Sequence, residues 1–149
     1  MTAVETPLVV LDAAAFDVLE TRRGSELHAL VRSTAARGGR VCCAAVTLAE
    51  VCRSRAQTRR AEAALARTSG GQRIRVVPTD ERLAKLVGAI LHHARAGSEY
   101  IADAHVVAVC SGADSAIVVT ADPDDIVDLA PALPGCRVVT RRPDAALAG

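Results

Sequence analysis

With 149 residues, the chain is long enough for one domain and too short for two with adequate cores, so a single domain over residues 1–149 is expected. Half of the residues are hydrophobic, which argues against a disordered protein. The formal net charge of +1 excludes recognition through a large overall positive field. One Tyr and one Phe are too few for a protein that stacks nucleic acid bases on aromatic rings.

The cysteines and the apolar segments indicate the compartment. The five cysteines are odd in number and contain no C-x-x-C pair, and no basic-then-apolar signal peptide opens the chain. They are therefore expected to be reduced, buried residues of a cytoplasmic protein. The longest uncharged stretch covers residues 104–113, whereas a membrane-spanning helix needs roughly 20 apolar residues. No membrane association is expected.

Short apolar runs alternate with helical patterns along the chain. The predicted strands cover residues 8–11, 41–44, 74–77, 116–120 and 136–139. A helical stretch with a break at Gly24 is predicted after the first strand, and another helix begins near Thr47. Further helices are predicted from about residue 57 to 67, from Thr79 or Asp80 onward, around Asp103, and from Pro123 onward. Glycine pairs at residues 38–39 and 70–71 separate helices from strands. The alternation predicts an α/β fold, in which helices cover both faces of a parallel sheet of about five strands.

Four acidic residues are predicted at the carboxyl ends of these strands. Asp12 directly follows the first strand, and Glu50 lies early in the helix after the second. Asp103 interrupts an otherwise apolar helical stretch, and Asp122 follows the fourth strand. Ligands of open parallel sheets bind outside the carboxyl ends of the strands. The joint placement of the four acids therefore predicts a catalytic set.

Each acid also has a purely structural interpretation. Asp12 and Asp122 could cap the helices that follow them, and Asp103 could face solvent. Glu50 could complete a T-x-x-E capping box with Thr47 as the N-cap residue. No single residue is specific, and the catalytic interpretation depends on the four lying together.

A cluster of four carboxylates requires compensation. At a separation of about 5 Å and an effective dielectric of about 20, each ionised pair repels by roughly 3 kcal/mol. Several such pairs rival the whole stability of a domain, about 5–15 kcal/mol, unless protons or a cation neutralise them. Hard oxygen ligands favour Mg²⁺ or Mn²⁺, and such an ion suits phosphodiester hydrolysis.

Four sequence segments in order resemble the PIN-domain family, and within it the VapC toxins. They are Asp12 after its strand, Thr47-Leu48-Ala49-Glu50-Val51, Asp103-Ala104-His105-Val106-Val107-Ala108, and Val119-Thr120-Ala121-Asp122-Pro123-Asp124-Asp125-Ile126, and the resemblance spans about residues 9–139. It implies a five-stranded three-layer α/β/α fold, metal ligation by Asp12, Asp103 and Asp122, catalysis by these residues with Glu50, and cleavage of RNA. For VapC toxins it further implies a homodimer inhibited by a cognate antitoxin.

The family pattern leaves some positions open. Many relatives have Ser or Thr directly after the first aspartate, where this chain has Ala13-Ala14-Ala15. Asp122 and Asp125 both fit the fourth acid; Asp122 is preferred because it is nearer the strand, with Thr120 as its hydroxyl neighbour. Glu99 is a candidate fifth acid. Candidate RNA-binding residues are the basic stretch Arg53, Arg55, Arg59 and Arg60.

The competing interpretation is a PIN-like domain that has lost cleavage and acts as an RNA- or protein-binding module. The alanines after Asp12 favour it, and the presence of all four acids argues against it. The number of metal ions, the RNA target and the identity of the antitoxin are not predicted by these patterns.

Overall fold

The computed structural model describes residues 6–21, 25–66 and 73–144. Within these residues, strands and helices alternate. The strands are β1 (Leu8–Leu11), β2 (Val41–Ala44), β3 (Arg75–Val77), β4 (Ser115–Val119) and β5 (Arg137–Arg141). The α-helices are α1 (Ala13–Thr21), α2 (Glu26–Ala36), α3 (Ala45–Val51), α4 (Arg55–Ala66), α5 (Glu81–Ala94), α6 (Ile101–Val109) and α7 (Pro123–Leu129). Single turns of 3-10 helix cover Ser98–Tyr100, Cys110–Gly112 and Ala130–Ala132.

The strands form one sheet in the order β3-β2-β1-β4-β5, and every pairing is parallel. The predicted parallel α/β fold is confirmed, and each predicted strand lies within two residues of its observed bounds. The three inner strands are mostly buried because helices cover both of their faces, which explains their continuous apolar sequences.

Two apolar cores lie on opposite faces of the sheet. Successive side chains of a strand point to opposite faces, and β1 divides accordingly, with Val10 in one core and Val9 and Leu11 in the other. Helices α5, α6 and α7 cover the first face, and α1, α2 and α4 cover the second. Phe16 is the large aromatic side chain of the second core. The remaining volume is filled mainly by Val, Leu, Ile and Ala, as the composition requires.

The predicted helix boundaries are largely confirmed, except at the start of α3. Asp80 is the N-cap residue of α5, and its carboxylate accepts a hydrogen bond from the Leu83 N–H at 2.8 Å. The basic helix α4 begins at Arg55, two residues before the predicted start. Residues 24, 67, 70 and 71, which the predictions placed at helix breaks or ends, lie outside the described residues.

The predicted capping box at α3 is wrong. This helix begins at Ala45, directly after β2, and its N-cap residue Ala44 has no side-chain hydrogen bond to offer. Thr47 therefore lies inside the helix, fully buried, and its hydroxyl has no hydrogen-bond partner among the described residues. Glu50 lies in the last turn rather than at N3. Because the capping role is removed, Glu50 is available for other chemistry.

The strand order places a crevice at the carboxyl ends of β1 and β4. From β1 the chain proceeds to β2 and β3 on one side, and β4 and β5 then add on the other side. The order reverses between β1 and β4, and ligands of such sheets bind at this switch point. Among the described residues, no helix combines the length and the apolarity needed to cross a membrane.

Candidate active site

Asp12 lies at the carboxyl end of β1 and is the most constrained acid of the site. Its backbone N–H continues the ladder to β4 by donating to the Val119 carbonyl at 2.9 Å. One carboxylate oxygen, Oδ1, accepts from the Ala13 N–H at 2.8 Å. The other, Oδ2, accepts from the Thr120 hydroxyl at 2.8 Å. The sheet and the first turn of α1 therefore fix the position and the rotamer of Asp12.

Thr120 connects the ends of three strands. It is fully buried, and its N–H donates to the Arg141 carbonyl of β5 at 2.9 Å. Its hydroxyl donates to Asp12 and accepts from the Asp122 N–H at 3.0 Å. The sequence predicted Thr120 as a neighbour of Asp122; its contact with Asp12 was missed. Because Leu11 pairs with Val119 in the sheet, the residues that follow them are adjacent.

Asp103 lies in the first turn of α6 and is partly buried. Burial and the charges of four other carboxylates raise the pKa of Asp103 to about 6. In decreasing order of effect, these carboxylates are Asp12, Asp125, Asp122 and Glu50. The four predicted acids and Asp125 are therefore close enough to interact. No cation of the described residues is among the groups that act on the Asp103 carboxyl. Such uncompensated negative charge is the electrostatic signature expected of a cation-binding or proton-holding site.

Glu50 lies in the last turn of α3 and is exposed to solvent. Partial desolvation and the charge of Asp12 raise the pKa of Glu50, while the guanidinium of Arg53 acts in the opposite direction. Its side chain borders a pocket of about 320 Å³ between α1, α3 and α4. Glu50 thus occupies the rim of the acidic crevice, with a basic residue beside it.

Asp122 and Asp125 lie at the start of α7. Asp122 is the N-cap residue but its side chain makes no capping hydrogen bond, so the capping interpretation does not account for it. Asp122 is exposed, whereas Asp125 is partly buried and acts more strongly on the pKa of Asp103. Asp124 and Asp128 are exposed.

The five acids match a magnesium or manganese ion in the type of their donor atoms, since all are carboxylate oxygens. The raised pKa of Asp103 indicates negative charge that the described residues do not compensate. In their present rotamers, however, the described side chains include no group of three His, Cys, Asp or Glu residues arranged to enclose a metal ion. Ligation requires rotamer changes at the exposed acids, because Asp12 is already fixed.

A sequence model of the PIN domain matches residues 9–130, well over half of the chain. The chain belongs to the PIN domain family. It is also similar in fold to a chain in the crystal structure of VapBC2 from Rickettsia felis bound to a DNA fragment from their promoter. The two chains have a TM-score of 0.60 and 11% sequence identity, and the alignment covers 90% of this chain and 98% of that chain. No curated protein matches the sequence.

In this PIN domain, the alanines that follow Asp12 have a structural consequence. Ala13 and Ala14 line the pocket of about 320 Å³ that Glu50 borders, together with Phe16, Val51 and other residues. The backbone N–H of Ala13 still donates to Asp12. A side-chain hydroxyl at this position is therefore not needed to hold the aspartate.

The predicted basic stretch lies next to this pocket. All four arginines are exposed at or near the start of α4, and Arg60 lines the pocket itself. Arg53 lies close enough to Glu50 to act on its pKa. Positive charge therefore flanks the acidic crevice of the PIN domain on the α4 side.

The structure does not bring Glu99 into the acidic cluster. Glu99 is exposed, its carboxylate lies over Gly97, and it is not among the groups that raise the pKa of Asp103. The histidines are also separate from the site. His105 is buried and its Nδ1 contacts the Ile101 carbonyl at 2.7 Å, while His92 and His93 are exposed on α5.

Proposed function

We propose that this PIN-domain chain is a divalent-metal-dependent endoribonuclease and the toxin of a cytoplasmic toxin–antitoxin pair. The observation that carries the proposal is the convergence of four carboxylates on a fifth, Asp103, whose pKa they and burial raise to about 6. PIN domains are generally nucleases, and the similar fold in the VapBC2 crystal structure supports a toxin of this kind with an antitoxin partner. A homodimer is part of the proposal, by the family resemblance.

Asp12, Asp103 and Asp122 or Asp125 would hold the ion, with Glu50 at the rim. When bound, Mg²⁺ or Mn²⁺ would supply an activated water and stabilise the leaving oxygen of the phosphodiester. The acids are suited to this role because their mutual repulsion disfavours the ion-free state. A cation relieves that repulsion, so part of the cost of gathering the carboxylates is returned on binding.

Other residues of the site would position the metal ligands and the RNA substrate. Thr120 and the Ala13 N–H hold both oxygens of Asp12, so this carboxylate keeps one orientation before any ligand arrives. The pKa of Asp103 is about 6 without a metal ion, so a bound cation would favour the ionised carboxylate that ligation needs. Arg53, Arg55, Arg59 and Arg60 are exposed beside the acids and are proposed to contact RNA phosphates, which directs the chain of the substrate across the crevice.

The test compares wild type with Asp12→Asn and with Asp128→Asn, a control that removes an exposed aspartate of α7 outside the cluster. Cleavage of RNA is measured with Mg²⁺, with Mn²⁺ and with EDTA, and metal binding is measured by calorimetry. Asp12→Asn should lower the cleavage rate at least about a hundredfold, while Asp128→Asn stays near wild type. Expression in a bacterial host should arrest growth with wild type and not with Asp12→Asn.

The competing function is a binding module without cleavage, favoured by the alanines after Asp12. If neither Mg²⁺ nor Mn²⁺ gives heat or thermal stabilisation at millimolar concentration, and RNA still binds, the nuclease proposal fails and the binding module remains. Equal toxicity of wild type and Asp12→Asn would likewise reject the proposed mechanism.

A further inference from the structure

Two adjoining pockets lie at the amino ends of the strands, on the opposite edge of the sheet from the acids. One, of about 170 Å³, is lined by Arg40, Arg75 and Arg82 around the start of β1. The other, of about 340 Å³, is lined by Arg37 and again by Arg40. Leu8 lines both. At about 3.3 Å per strand residue, β1 separates these pockets from Asp12 by roughly 13 Å.

Among the residues that the structure describes, no acidic side chain compensates the positive charge of these pockets. Among the described residues that line them, four are arginines and none is acidic. In the described part of the chain, none of the four guanidinium groups forms an ion pair with a carboxylate. The nearest acids in sequence are engaged elsewhere, because Glu81 pairs with Lys85 and Asp80 caps α5. A chain with a net charge of only +1 thus concentrates four cations at one edge.

The smaller pocket is organised as well as charged. The Arg40 guanidinium donates to the Gly112 carbonyl at 3.2 Å, which holds it against the 3-10 turn that precedes β4. Arg40 and Arg75 both act on the Cys42 thiol, lowering its pKa against the larger effect of burial. The guanidinium groups of Arg40, directly before β2, and of Arg75, the first residue of β3, therefore both lie near the buried Cys42 side chain. Arg82, at the start of α5, completes the lining from a third element.

We propose that this basic pocket, formed by Arg40, Arg75 and Arg82 with Arg37 at its rim, binds a phosphate group. A guanidinium group can donate two parallel hydrogen bonds to the oxygens of a phosphate. A phosphate bound between several guanidinium groups also offsets the repulsion among their positive charges. A volume of about 170 Å³ is below the usual range for whole small-molecule ligands, roughly 300–1,000 Å³, but is ample for a phosphate. The phosphate is either a free inorganic ion or the terminal phosphate of an RNA.

The test measures binding of inorganic phosphate to the full chain in EDTA, at constant ionic strength set with chloride. Wild type, Arg75→Gln and Arg82→Gln are compared with Arg32→Gln, which removes an exposed arginine of α2 outside both pockets. Phosphate should raise the Tm of wild type and Arg32→Gln, and calorimetry should give at least about tenfold weaker binding for Arg75→Gln and Arg82→Gln, equivalent to about 1.4 kcal/mol. Circular dichroism checks that all variants are folded.

A second arm identifies the source of the phosphate. Short RNA oligonucleotides with a 5′-phosphate or a 5′-hydroxyl are compared as competitors of inorganic phosphate. Displacement by the phosphorylated RNA alone assigns the pocket to an RNA terminus, and no displacement assigns it to the free ion. The proposal is overturned if phosphate stabilises wild type no more than chloride does, or stabilises all four proteins equally. Because EDTA removes divalent ions, the result is independent of the acidic site.

Discussion

The hydroxyl of Thr120 donates a hydrogen bond of 2.8 Å to Oδ2 of Asp12, across a sequence separation of 108 residues. Two neighbouring strands, one from each half of the chain, bring these residues together. The same hydroxyl accepts from the Asp122 N–H, so one buried group organises both sides of the crevice. We expect this bond to contribute to stability and to metal affinity, and substitution of Thr120 tests both.

Thr120→Val should lower both the free energy of unfolding and the metal affinity. The hydrogen bond joins a buried donor to a carboxylate, so its loss should lower the free energy of unfolding by about 1.5–3 kcal/mol. Metal affinity should fall about 10–100-fold, because Asp12 loses the group that orients it. Thr120→Ser retains the hydroxyl and should restore metal affinity. Denaturant unfolding and calorimetry measure the two effects; equal metal affinity of Val and Ser variants would contradict the positioning role.

Asp103 makes the metal-free protein less stable as the pH rises. Its carboxyl has a pKa of about 6 in the folded chain and 3.8 as the ordinary value, so the folded state binds more protons between these values. The free energy of unfolding should therefore fall from about pH 4 to pH 6. After allowance for solvent screening, the loss is about 1–2 kcal/mol.

Asp103→Asn checks the cause of this pH dependence. The variant lacks the ionisation, so in EDTA it should be more stable than wild type at pH 7, and the difference should vanish near pH 4. Urea unfolding at a series of pH values measures both curves. Adding Mg²⁺ should stabilise wild type more than the variant. A wild-type stability that is flat or rising between pH 4 and pH 6 would argue against the acidic cluster.

The sequence predicted the fold well because each buried strand is a short continuous apolar run between clear helix signals. The strand order was not derivable from local patterns, since the pairing of β1 with β4 joins segments about 108 residues apart. The Thr120–Asp12 bond follows from that pairing and was missed for this reason. The predicted capping box at Thr47 was wrong because the T-x-x-E spacing occurs both at the start of a helix and within one. In this chain α3 begins at Ala45, so Thr47 and Glu50 both lie within the helix.

Thr47→Val should stabilise the protein. The Thr47 hydroxyl is fully buried and has no hydrogen-bond partner in the part of the chain that the structure describes. An unsatisfied polar group of this kind costs about 1–3 kcal/mol. Valine keeps the shape and removes that cost, so the free energy of unfolding should rise by about 1 kcal/mol. The matched control is Thr58→Val on α4, where the hydroxyl donates to the Ser54 carbonyl at 2.8 Å. Thr58→Val should not raise the free energy of unfolding. Destabilisation by Thr47→Val would mean that its hydroxyl has a partner in solution.

The fourth acid can be assigned by comparing Asp122→Asn with Asp125→Asn. Asp125 is less exposed and acts more strongly on the Asp103 carboxyl, whereas Asp122 is nearer the strand. We expect Asp125→Asn to weaken Mn²⁺ binding more, by about tenfold relative to Asp122→Asn. Calorimetry with Mn²⁺ measures the two affinities. The reverse order would assign the ligand to Asp122.

The position of β4 in the sheet has a consequence for synthesis of the protein. Translation delivers Asp12 and Glu50 early, but β4 must enter beside β1 before the Thr120 hydroxyl reaches Asp12. A nascent or truncated chain that ends before Ser115 lacks that hydroxyl and also Asp122 and Asp125. The acidic crevice is therefore complete only after most of the chain has emerged and folded.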